Sequence, residues 1–216
     1  MNHRKHLAGA LAVLTVGVYA ALAQGPAENM SFFVTSANPG NGGNLGGLDG
    51  ADAHCQSLAE AVEAGNQTWR AYLSTSTVDA RDRIGSGPWH NAAGVEIASS
   101  VADLHSADNN LTAETALNEK GESPNYLGGN PPAPLAQPLQ HDILTGTNED
   151  GAASEMTCND WTDGSADSQA TLGHADRMGR NPGVNSWTSV HPSQGCAMEN
   201  LTPTGGAGMF YCFATD

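Results

Sequence analysis

The chain has 216 residues, with 23 acidic side chains against 8 basic ones, a net charge of −15 and 26 glycines. A balance of that sign repels nucleic acid and anionic lipid surfaces, which argues against both as partners. Charged residues are few, at 14%, so the composition describes a loop-rich domain with a modest core and not a helical bundle.

Arg4 and Lys5 precede an apolar run over residues 7–20 that closes on Ala21-Leu22-Ala23. A positive start, a short apolar middle and a small-x-small exit make residues 1–23 a cleavable secretory signal. The run is near the short limit of the ~20 apolar residues a bilayer span needs, so a retained anchor is the competing reading. Removal of the signal takes away Arg4 and Lys5 and no acid, which makes the remainder more negative. No later segment is apolar enough to span a membrane. The expected location is secreted or periplasmic, with residues 24–30 a linker and 31–216 one domain.

Ser31–Ser36 is a compact apolar run and predicts a first strand. Residues 38–47 are a glycine- and asparagine-rich loop. Leu48, Ala51, Cys55, Leu58 and Val62 recur at steps of three and four and predict a helix that buries Cys55, stopped by Gly65. Thr68–Ser74 places Trp69, Ala71 and Leu73 on one face of a second strand, which makes Trp69 a core residue. Residues 94–98 predict a short strand and 101–104 a short helix. Residues 118–140 lose all periodicity and hold five prolines; a stretch of that length inside a domain is functional or mobile. Residues 143–147 return to strand character, and Met209–Phe213 predicts a buried closing strand.

Four cysteines remain, Cys55, Cys158, Cys196 and Cys212. In an oxidising compartment they form disulfides, and four cysteines allow three pairings that spacing does not separate. No CxxC is present, which argues against a zinc ribbon.

The order of strand, Cys-bearing helix, long loop region and Cys-bearing last strand resembles the C-type lectin-like fold, and most closely its endostatin-like branch. The resemblance rests on Gly46–Cys55, Thr68–Ser74, Ala80–Gly85, His141–Gly146, Cys158-Asn-Asp-Trp161, Ser186-Trp187, His191-Pro-Ser193 and Gly205–Phe213, and covers nearly all of 31–216. Bacterial exported proteins of this branch are mostly without an assigned function. The resemblance implies an α+β domain with small antiparallel sheets, with Cys55 paired to Cys212 and Cys158 to Cys196. Each bridge would contribute roughly 3–5 kcal/mol by the chain-entropy argument. It further implies a non-catalytic binding module that recognises a glycan or an extracellular or envelope surface through residues 105–200. The other readings are an envelope-associated structural protein and a secreted hydrolase; function belongs to sites and not to folds.

Sugar-binding members of the lectin-like family hold calcium with a Glu-Pro-Asn or Gln-Pro-Asp triplet and a Trp-Asn-Asp triplet. Here Gln137-Pro138 is followed by Leu139, and the second set appears reordered as Cys158-Asn159-Asp160-Trp161. The candidate calcium ligands are Asn148, Glu149, Asp150 and Asp160, with a solvated acidic loop as the alternative. Asn159, Asp160, Trp161, Trp187 and His191 are the candidate ligand-binding residues. Either tryptophan would stack on a sugar or pin a loop to the core. His141-Asp142 and His174-Ala-Asp176 each place a carboxylate near an imidazole. No HExxH or other spaced zinc set is present, so the histidines are expected to serve as hydrogen-bonding loop residues. Endostatin-type zinc binding uses histidines at the mature N-terminus, and residues 24–31 contain none. Arg81 and Arg83 are expected to pair internally with Asp79 or Asp82. No GxSxG elbow is present, and no catalytic residue is assigned.

Overall fold

A computed structural model describes residues 25–127, 138–178 and 185–216. The predicted signal 1–23, the first residue of the predicted linker and Gln137 lie outside them. In chain order the elements are β1 (Phe32–Val34), α1 (Gly47–Ala61), β2 (Trp69–Ala71), β3 (Trp89–His90), β4 (Glu96–Ala98), α2 (Val101–Leu104), β5 (Asp142–Leu144), α3 (Cys158–Trp161), β6 (Thr171–His174), β7 (His191–Pro192), α4 (Met198–Leu201) and β8 (Gly206–Ala214). The chain is a mixed α/β protein with small sheets, few helices and two disulfides.

β8 organises the main sheet. Its apolar run is buried on both faces, as an uninterrupted hydrophobic strand requires. β1 and β2 flank its second half antiparallel, with Phe33 and Ala71 both opposite Cys212. β5 runs parallel to its first half, and β6 and then β7 extend the sheet outward from β5. Side chains alternate between faces. Phe210 and Cys212 join Phe33, Trp69 and Leu144 under α1, while Met209, Tyr211 and Phe213 join Phe32, Val34 and Ile143 on the other side.

Helix α1 forms on its apolar stripe and buries Ala51, Cys55 and Ala59 completely. Cys55 bonds Cys212 across 157 residues, and Cys158 bonds Cys196 across 38. Both pairings are those the resemblance implies. The helix ends at Ala61, four residues before the glycine expected to stop it. Glu63 takes the left-handed conformation at φ 66°, and Gln56 donates to the Gly65 carbonyl at 2.9 Å.

Arg81 pairs with Asp79 and Asp150, each at 3.1 Å. Arg83 instead reaches Asp52 on α1 at 2.7 Å and the Ala71 carbonyl. The aperiodic segment 118–140 is anchored at its described ends. Asn118 bridges to Val34, the buried Glu119 accepts from the Ser36 amide and hydroxyl, and Tyr126 donates to the Ala116 carbonyl at 2.7 Å. Three strands have no counterpart among the expectations, β3, β6 and β7. All are short, and β6 and β7 are placed by pairing with β5, remote in the chain.

Candidate metal centre

The edge of the sheet formed by β5, β6 and β7 gathers four side chains. Asp142 lies opposite His174 in the β5–β6 register, so the two project from one face with Cβ atoms about 4.5–5.5 Å apart. Leu172, two residues before His174, pairs with His191. His191 is therefore the diagonal neighbour of His174 on that face. In a regular strand His141 would point away from its neighbour Asp142. β5 begins irregularly instead. The amides of His141 and Asp142 both donate to the Gly205 carbonyl, at 3.0 and 3.2 Å, and the β8 register slips between Asp142 and Ile143. Both side chains then turn to one point. Gly205, at φ 111°, closes that point from behind; a Cβ there would stand 2.7 Å from two ring atoms of His141, so only glycine fits.

One oxygen of Asp142 is the centre of the cluster. Its Oδ1 lies 3.2 Å from His141 Nε2, 3.1 Å from His174 Nε2 and 3.7 Å from His191 Nε2. His174 Nε2 and His191 Nε2 are 3.2 Å apart. The His141 and His174 rings stack at 4.3 Å between centroids, and His191 meets His174 edge-on at 5.2 Å. The His141, Asp142 and His174 side chains are at most 6% exposed, and His191 is 33% exposed. Among the described residues, His141, Asp142 and His174 form the one group of three or more potential ligand side chains within 4.8 Å of one another.

The other ring nitrogens fix the protonation pattern. His141 Nδ1 faces Asp176 Oδ1 at 3.3 Å, His174 Nδ1 faces the Met178 carbonyl at 2.6 Å, and His191 Nδ1 faces the Pro192 carbonyl at 3.0 Å. Each partner accepts from an Nδ1 proton, while in the 3.2 Å hydrogen bond between His174 Nε2 and His191 Nε2 one of the two nitrogens donates. The Nε2 atoms of His141 and His174 and one carboxylate oxygen face the same small space, with His191 Nε2 at its margin. Neither oxygen of the buried Asp142 accepts a hydrogen bond, an expensive condition for a carboxylate unless a cation neutralises it. Burial opposes charge on His141. The hydrogen bond that His141 donates to Asp176, the charges of Asp142 and Asp176 and a hydrogen bond to the Thr204 backbone outweigh it, so His141 titrates above the usual imidazole range. A proton and a metal ion thus compete for the same site.

A divalent transition metal fits this donor set. Zinc binds imidazole nitrogen at 2.0–2.1 Å and carboxylate oxygen at 2.0–2.2 Å, which sets neighbouring donors of a tetrahedron about 3.3 Å apart. The separations of Asp142 Oδ1 from His141 Nε2 and His174 Nε2, 3.2 and 3.1 Å, match that edge, and His191 stands beside this group, outside the set whose donors all lie within 4.8 Å of one another. The carboxylate and carbonyls behind the rings are the outer-shell partners that orient metal-bound histidines. Two imidazole nitrogens and one carboxylate oxygen, with a third imidazole beside them, suit zinc, copper(II), cobalt or nickel. Calcium requires about six to eight oxygens.

The residues singled out in the sequence divide differently. His191 belongs to the cluster. His141 and His174, expected to be loop hydrogen-bonders, are buried at a strand start and a strand end. Trp161 and Trp187 are 0% and 2% exposed, so neither ring offers a face to a sugar. They pin loops, Trp161 donating to the Ser74 carbonyl and Trp187 to the Leu104 carbonyl. Asn159 is exposed and donates to Thr162. Asp160 accepts from the Ser76 amide and hydroxyl, each at 2.7 Å, and from Thr157. Burial works against its charge, but these bonds outweigh it and hold the carboxyl below its ordinary range. Asp150 is committed to Arg81, and Asn148 donates to the Ala153 carbonyl at 2.9 Å. Glu149, Asp150 and Asp160 do not form a group of carboxylate oxygens within 4.8 Å of one another. The reason is local. Residues 158–161 make a left-handed turn, with φ of 49°, 53°, 54° and 65°, and this turn directs Asp160 back to Ser76.

Neither a protein-family model nor a curated protein sequence matches the chain.

Proposed function

We propose that this chain is an exported binding module of C-type lectin-like build whose ligand is a first-row transition metal ion, zinc foremost, held by His141, Asp142, His174 and His191. The observation that carries the reading is the buried Asp142 carboxylate, free of hydrogen bonds and ringed by three Nε2 atoms. The lectin-like build is supported by the tie from α1 to β8 through Cys55–Cys212 and by the second bridge over the late loops. Export is supported by those disulfides. Among the described residues no helix is long and apolar enough to cross a membrane. The wider expectation of a glycan-binding face on Asn159, Asp160, Trp161 and Trp187 gains no support from the burial of the two tryptophans and the internal bonds of Asn159 and Asp160. A metal reading takes its place.

Thermal melting tests this. Zinc at about 100 times its dissociation constant stabilises a folded protein by about 2.7 kcal/mol, which for a domain of this size raises Tm by roughly 5–10 °C. A chelator should reverse the shift. No shift with zinc, cobalt or nickel would reject the reading.

A further inference from the structure

The four ligands are not held alike. His141 and His174 are buried and braced from behind, one by the Asp176 carboxylate and the other by the Met178 carbonyl. Asp142 is locked between β6 and β8. His191 differs in every respect. It lies on β7, two residues long and at the outer edge of the sheet. Its side chain is one-third exposed, its Nε2 stands 3.7 Å from Asp142 where the other two stand at 3.1–3.2 Å, and its Nδ1 partner is the carbonyl of the next residue in its own strand. A brace from the adjacent residue moves with the side chain and does not fix it against the other three ligands.

Resting on the metal reading above, we infer that His191 is an exchangeable ligand, and that the position it occupies is where the bound metal takes an exogenous monodentate nitrogen or oxygen donor. The three remaining ligands, two imidazoles and one carboxylate, are the number that open metal sites keep when one position is left for water or a small ligand. The opening faces solvent on the His191 side, because the other three donors are sealed by the sheet and by Gly205. Exchange needs no movement of the sheet, only rotation of one edge side chain, which is a fast motion for a partly exposed residue.

The test uses the folded domain loaded with cobalt(II), whose visible absorption reports coordination, with azide as the exogenous donor. Wild type should bind cobalt, and azide should change its spectrum saturably. His191→Ala and His191→Gln should retain cobalt, and azide should saturate them at a concentration at least about tenfold lower, because no internal ligand occupies the position. His174→Ala should lose cobalt. If cobalt binds but azide leaves the spectra of wild type and both His191 variants unchanged, the position is closed and the inference fails while the metal reading stands. If both His191 variants lose cobalt as His174→Ala does, His191 is a fixed ligand and the inference fails. If wild type binds no cobalt, the metal reading fails and the inference with it.

Discussion

Two polar clusters in this domain invite comparison, the left-handed turn Cys158–Trp161 and the sheet edge around Asp142. Both carry a carboxylate flanked by donors or rings. At the turn the protein satisfies its own charge, since Asp160 collects hydrogen bonds from Ser76 and Thr157 and the Trp161 ring is sealed against Ser74. At the sheet edge it does not. Asp142 is buried more deeply, and neither of its oxygens accepts a hydrogen bond although three ring nitrogens lie 3.1–3.7 Å from Oδ1. A satisfied carboxylate is architecture. The buried one left unsatisfied among imidazoles is the observation on which the proposed cation site rests.

The comparison can be broken at several points. Breaking the Cys158–Cys196 bridge with a double alanine substitution should cost about 4 kcal/mol by the loop-entropy argument, measured by denaturant unfolding, and should leave zinc stoichiometry unchanged at temperatures where the domain is folded. A loss of zinc in the folded double variant would mean that the two regions are coupled. Asp142→Asn should weaken zinc by more than about 100-fold, beyond the range of an outer-shell change, without lowering the Tm of the metal-free protein at a pH above the raised His141 value, where His141 is neutral and the buried charge has no partner. Asp176→Asn, acting only through His141 Nδ1 on the metal, should weaken zinc by about 10–100-fold. Asp160→Asn should leave zinc affinity unchanged and cost about 1 kcal/mol, modest because the group is partly exposed. With its carboxyl held below the ordinary range, that loss should be full above pH 4–5 and vanish as the pH falls through the depressed value.

pH separates the two clusters further. His141 has a raised value, so in the metal-free protein its contribution to stability is complete below the ordinary imidazole range and is lost as the pH rises through the raised value. Zinc requires deprotonated rings, so its stabilisation should grow over the same interval. Melting curves with and without zinc from pH 5 to 8 should therefore diverge as pH rises. Curves that stay parallel would contradict the assignment.

Much of the frame was legible in the sequence. The stripe that buries Cys55, the alternation of Trp69 and Ala71, and the unbroken run at Met209–Phe213 each carry their own period, and β1, α1, β2 and β8 follow. The site was half visible. His141-Asp142 and His174-Ala-Asp176 read as carboxylate–imidazole pairs and His191 as a residue that could touch a bound ligand, none of them as a metal ligand, and nothing local joins residues 141, 174 and 191. Their meeting depends on the β5–β6–β7 register, and β6 and β7 are too short to show a period. The irregular start of β5, which turns His141 toward Asp142, depends on Gly205, a residue that reads in the sequence as one more loop glycine. The tryptophans misled for the opposite reason. Polar neighbours suggested exposure, whereas the left-handed turn tucks the Trp161 ring inward against Ser74.

The most direct test of the metal centre is zinc stoichiometry and affinity, measured by competition with a chromophoric chelator at pH 7.5 on the purified domain. The expected result is one equivalent of zinc bound by wild type and none retained by His174→Ala or Asp142→Asn, with both variants folded by circular dichroism. Wild type that yields all its zinc to the chelator, or variants that bind it as wild type does, would contradict the assignment of His141, Asp142, His174 and His191 as a metal centre.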